Sequence, residues 1–84
     1  VEVQGLQVLR SVKPSYPADC RRRGEEGTAT LLLEVRGGAV KEVRMERSSG
    51  HEGLDRAAVA ALRKWKFNAS LEALVRVPVV FRLE

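Results

Sequence analysis

The chain has 84 residues, a formal net charge of +4 and a single cysteine. That length suits one domain around one modest core, with a stability on the order of 5 kcal/mol. Internal disulfides are excluded by the lone Cys20, and no apolar run is long enough to span a membrane. The four aromatics, Tyr16, Trp65, Phe67 and Phe81, are too few for a base-stacking surface. Because the sequence opens on VEVQGL, with neither an initiator methionine nor a signal peptide, it is expected to be a piece of a longer protein.

Residues 1–11 alternate weakly and read as an N-terminal arm or short strand; residues 12–84 read as the domain proper. In PSYP, Pro14 pushes Lys13 toward extended geometry. Pro17 suits the first turn of a short helix through PADCRRR, and Gly24 suits its left-handed end. Two turns are marginal alone, so tertiary packing through Tyr16, Ala18 and Cys20 must hold them. TATLLLEVR is a strand with Ala29, Leu31, Leu33 and Val35 on one face. Leu32 on the other face makes it a central strand. Gly37–Gly38 marks a tight hairpin, and AVKEVRMERS returns as its partner. The period slips between Val40 and Val43, which predicts a bulge near Lys41 or Glu42.

In SSGHEGLDRAAVAALRKWKF, residues Leu54, Ala58, Ala61, Leu62 and Trp65 share one helical face, with Ala57 alongside. Asp55 at its start and Arg63, Lys64 and Lys66 at its end suit the helix dipole. VRVPVVFRL alternates cleanly, with Val75, Val77, Val79, Phe81 and Leu83 toward the core. Pro78, which cannot donate to a ladder, makes this an edge strand. The expected fold is α+β: a three-stranded antiparallel sheet with two helices packed on one face, and room for an extra N-terminal strand.

Little of this points to catalysis. His51, Glu52 and Asp55 form the one polar cluster, but a metal needs three or four convergent ligands and a charge relay needs a nucleophile. Polarity at a helix start explains them, so neither enzyme chemistry nor a cofactor is expected. The run Arg21–Arg23 reads as a solvated helix face rather than a phosphate site, and a nucleic-acid partner is not expected. Cys20 reads as a small buried hydrophobe. Trp65 and Phe67 read as the closure of a thin core. An exposed edge strand can capture an extended peptide, with backbone bonds giving affinity and side-chain pockets selectivity. Arg76 and Arg82 on that strand are either specificity contacts or guards against aggregation.

Four segments in order, PSYP, RGEEGTATLLLEVRGGAV, SSGHEGLDRAAVAALRKWKF and VRVPVVFRL, resemble the C-terminal domain of TonB-type energy transducers. The likeness runs from about residue 12 to 83. It implies a periplasmic domain of an inner-membrane-anchored protein, driven by an inner-membrane proton-powered motor. Its partner would be the N-terminal box peptide of an outer-membrane transporter, added as a strand to Val75–Leu83. On the resemblance, the partner-binding residues are Lys13, Ser15, Tyr16 and Pro17 beside the box, with Val75, Arg76, Val77, Val79, Val80 and Arg82 on the docking strand. Three departures stand out. NAS follows Trp-Lys-Phe where Pro-Ala is usual, the loop Asn68–Leu74 lacks Gly-Pro punctuation, and Cys20 replaces a common alanine. Related domains also serve secretion, motility and envelope assembly, so an assembly module on the same fold is the alternative. A strand-exchanged homodimer is a further expectation of the family.

Overall fold

The computed structural model describes residues 8–83. The first part of the N-terminal arm therefore lies outside the described residues. In chain order the elements are β1 (Val8–Arg10), α1 (Ala18–Arg22), β2 (Gly27–Arg36), β3 (Ala39–Arg47), α2 (Glu52–Leu62), β4 (Lys66–Phe67) and β5 (Ala73–Phe81). The strands form a single antiparallel sheet in the order β1-β4-β3-β2-β5. It has five strands where the sequence suggests three and an optional fourth. β1 is that optional strand. β4 is new, and it is only two residues long, too short to show a period.

The alternation of β2 and β5 builds the core. Ala29, Leu31, Leu33 and Val35 face inward with Val75, Val77, Val79 and Phe81, and α2 covers them with Leu54, Ala58, Ala61 and Leu62. Burying a side chain of Leu size stabilises by about 1.5–3 kcal/mol, so these positions dominate the fold. Pairing of β2 with β5 is unbroken from Gly27↔Phe81 to Val35↔Ala73. Pairing of β2 with β3 slips twice. Between Glu34↔Glu42 and Val35↔Val40, Lys41 is the extra residue, as the sequence period predicts; a second slip lies between Thr30↔Arg47 and Leu31↔Met45.

Gly38 shows why this hairpin must end in glycine. Its φ is +82°, and a Cβ there would sit 2.4 Å from the Phe67 carbonyl oxygen. The close approach lets the Phe67 amide donate to Gly38 O at 2.7 Å, and the Gly38 amide donate to Leu71 O at 3.2 Å. The hairpin tip is thus clasped by the β4–β5 connection. Helix α1, short as expected, is held by Cys20, which is 1% exposed. Its sulfur packs so close to Gly53 at the start of α2 that a Cβ on Gly53 would lie 2.5 Å from Sγ.

Helix α2 ends at Leu62, so Arg63, Lys64 and Lys66 fall beyond its last turn and not inside it. β5 ends at Phe81; Leu83, assigned by the period to the core, is half-buried past the strand end, where its amide donates to Glu26 Oε2 at 2.8 Å.

Candidate peptide-docking edge

β5 is the last strand of the sheet, so one side of its backbone meets no other strand among the described residues. On the helix side of this edge runs an open groove of about 560 Å³. Val77, Val79 and Phe81 line it from β5, and Leu62 lines it from the end of α2. Lys13, Pro14 and Tyr16 form the facing wall, with Trp65 beside them.

That wall is irregular chain, and three aromatic contacts fix it. The Trp65 indole N–H donates to the Val12 carbonyl at 3.0 Å, and the Tyr16 hydroxyl donates to the Glu25 carbonyl. The Tyr16 ring meets Phe81 edge-on, with centroids 5.5 Å apart and planes at 86°, a favoured aromatic geometry. Trp65 therefore does more than close the core. Phe67 is the buried member of the pair, while half-buried Trp65 holds the N-terminal segment against the body. Nothing in sequence links Trp65 to a carbonyl 53 positions away.

The groove's charge is one-sided. Lys13, Arg21 and Arg82 line it, and no Asp or Glu does among the described residues. The Arg21 guanidinium also stacks over the Tyr16 ring, 5.5 Å from its centroid. The other members of the arginine run turn elsewhere: Arg22 pairs with Asp19, and Arg23 Nε donates to Glu25 Oε2 at 2.8 Å. The run is thus dispersed over separate local partners.

The anticipated docking residues divide by location. Lys13, Tyr16, Val77, Val79, Val80 and Arg82 line the groove; Ser15, Pro17, Val75 and Arg76 do not. Val75, Val77 and Val79 bury their side chains in the core. Arg76 reaches back over the central strand to form a two-pronged ion pair with Glu46 on β3, at 2.5 and 2.9 Å. That pair holds the Glu46 carboxyl below its usual range, chiefly through the Arg76 hydrogen bond. Leu74 and Val80, 66% and 58% exposed, are the large apolar side chains on the solvent face of β5. Sequence reasoning left out Leu74, and it also left out Pro14 and Leu62 in the groove.

Two other depressions are less suited to a ligand. One, of about 500 Å³ on the open sheet face, is lined by charges that pair among themselves: Arg36 with Glu34 at 2.7 Å and Arg44 with Glu42 at 3.6 Å. The other lies at the α1–α2 junction, where Glu25 meets Arg23 and His51, the latter at 3.7 Å. The Arg23 hydrogen bond, then that of the Cys20 thiol, keeps Glu25 below the usual carboxylate range. Burial, then the Glu25 contact, pushes the Cys20 thiol up, away from the reactive thiolate. Asp55 binds the turn before α2 through Ser48 Oγ at 2.5 Å, the Ser49 amide at 2.9 Å and Ser49 Oγ at 2.7 Å. Of the three polar residues, Asp55 organises the helix start, Glu52 accepts from Arg56 at 2.8 Å and His51 lies beside Glu25; no metal-binding cluster occurs among the described residues.

Comparison with known proteins agrees with this architecture. Residues 12–83 match the model of the Gram-negative bacterial TonB protein C-terminal family. The chain is 46% identical over 77 residues to Protein TonB of Xanthomonas campestris pv. campestris, covering 83% of this chain and 34% of that protein. It is 39% identical over 82 residues to Protein tonB2 of Pseudomonas aeruginosa, covering 89% of this chain and 30% of that protein. The chain thus spans about a third of the length of these relatives. The solution structure of the Pseudomonas aeruginosa TonB C-terminal domain superposes with a TM-score of 0.76 at 23% identity, over 94% of this chain and 87% of that one, a likeness of fold. With a family match across nearly the whole described chain and relatives well above 30% identity, the protein belongs to the TonB C-terminal family.

Proposed function

We propose that this chain is the peptide-capturing domain of a TonB-like energy transducer. In this reading it works in the periplasm and catalyses nothing. It takes the N-terminal box of an outer-membrane transporter as an added strand on β5. The rest of its parent protein would anchor it in the inner membrane and supply a pull from a proton-driven motor.

The observation that carries the reading is the open nine-residue β5 edge beside a groove with apolar walls and one sign of charge. An extended peptide gains main-chain hydrogen bonds from such an edge, and every second side chain enters the groove. Lys13, Arg21 and Arg82 favour an acidic side chain in the occupant, and steer it at low salt. Membership of the TonB family supports the partner class.

An amide-resolved NMR titration with synthetic transporter N-terminal peptides tests this. Shifts concentrated on Ala73–Phe81 and Lys13–Tyr16 are expected, with affinity falling as salt rises. A silent edge in a chain that instead self-associates would favour an assembly module of an envelope machine.

A further inference from the structure

One residue of β5 has no N–H to give. Pro78 stands opposite Thr30 within the unbroken antiparallel register. In such a ladder alternate residues turn both backbone groups to the same neighbour. A proline that keeps its place opposite Thr30 belongs to the set that faces away from β2. This fixes the phase of the whole strand. Val75, Val77, Val79 and Phe81 bond to β2, while Leu74, Arg76 and Val80 offer N–H and C=O to the open edge. At Pro78 the edge presents a carbonyl and no donor.

We propose that Pro78 selects the occupant of this edge: one extended segment of a different protein, and not a second copy of this chain. The inference rests on the strand-addition reading above. An incoming peptide loses a single rung opposite Pro78 and keeps those at Leu74, Arg76 and Val80. A twofold pairing of β5 with β5 contains Pro78 twice and loses two rungs over the same length. The groove beside this edge is also lined by Lys13, Arg21 and Arg82, with no acidic residue among the described ones. An acidic segment neutralises these cations, whereas β5 of a second copy carries an arginine and no acidic residue. The donor gap therefore disfavours self-pairing twice as strongly as peptide capture, and the charge acts in the same direction.

Pro78→Ala in the 84-residue chain is the test. In the free protein the amide gained at position 78 should exchange rapidly while those of Val77 and Val79 are protected. The variant should self-associate in sedimentation at concentrations where the parent chain is monomeric. It should bind a synthetic transporter N-terminal peptide about two- to tenfold more tightly, the worth of one hydrogen bond. Val80→Pro, which removes another outward donor, should weaken that binding by a similar factor. Protection of the position-78 amide in the free Pro78→Ala monomer would overturn the proposal, as would a Pro78→Ala chain unchanged in both association and peptide affinity. Either result would leave strand addition standing. If the peptide fails to protect Leu74, Arg76 and Val80 in the parent chain, strand addition itself is wrong, and the proposal falls with it.

Discussion

The two edges of the sheet are built differently. β5 is nine residues long and pairs without a break along β2, which lies in the middle of the core. β1 is three residues long and touches β4 through Val8↔Phe67 and Arg10↔Lys66 only, with a slip between the two pairs. The second pair sets two cations opposite each other, an arrangement that weakens strand pairing. One edge is part of the cooperative core; the other is a light attachment. A strand that must accept a partner without unravelling belongs on the first, and a segment leading in from the N-terminal side can sit on the second.

The sharpest way to break this contrast is at the core. Leu31→Ala, at a fully buried site of β2, should cost about 2–5 kcal/mol, close to the whole stability of a domain this size. Val8→Ala, at the one half-buried position of exposed β1, should cost less than about 1.5 kcal/mol. Urea unfolding followed by circular dichroism measures both; equal losses would erase the distinction between the edges.

Trp65→Phe retains an aromatic ring but loses the hydrogen bond to Val12. We expect a loss of about 0.5–1.5 kcal/mol. Beyond the residues in direct contact with the ring, NMR shifts should concentrate on Val12–Tyr16, and peptide affinity should fall because the groove wall is no longer held. Shifts spread through β2 would return Trp65 to a core role.

Acid tests the turn that supports α2. Burial raises the Asp55 pKa, but the bonds from Ser48 and Ser49 outweigh it, so the folded value lies below the ordinary 3.8. A depressed carboxylate contributes stability that is present above its unfolded pKa and lost as pH falls through the folded one. Asp55→Asn should therefore flatten the decline of melting temperature below pH 3.8. An unchanged acid profile would show that other carboxylates govern it.

The smallest effect is expected at the weak edge itself. Lys66→Glu replaces a like-charged pair with an opposite one and should stabilise the β1–β4 contact by about 0.2–1 kcal/mol. It would be read as slower hydrogen exchange at Leu9 and Arg10, with β5 unaffected.

The sequence made the strong region readable and the weak one obscure, for a physical reason. β2, β5 and α2 bury one face over many residues, so their period of two or 3.6 is written into the chain. The bulge at Lys41 showed because it broke such a period. β4 had none to show: Lys66 and Phe67 look like the frayed end of the helix before them. β5 was legible as an edge strand through Pro78. Its groove was not, because Lys13, Trp65 and Arg82 converge from separate elements. Nor was the fate of Arg76, whose partner Glu46 lies 30 positions away.

That Arg76–Glu46 clasp has a mechanical side. A tension applied along β5 acts parallel to the strand and strains every rung to β2 together, in shear. The clasp passes part of it over the central strand to β3. Tension that lifts β1 from β4 meets its two contacts one after the other, as in opening a zipper. The same sheet should therefore resist a tug on one margin far better than on the other. Pulling from β5 and from the N-terminal segment in a force spectrometer should give different rupture forces.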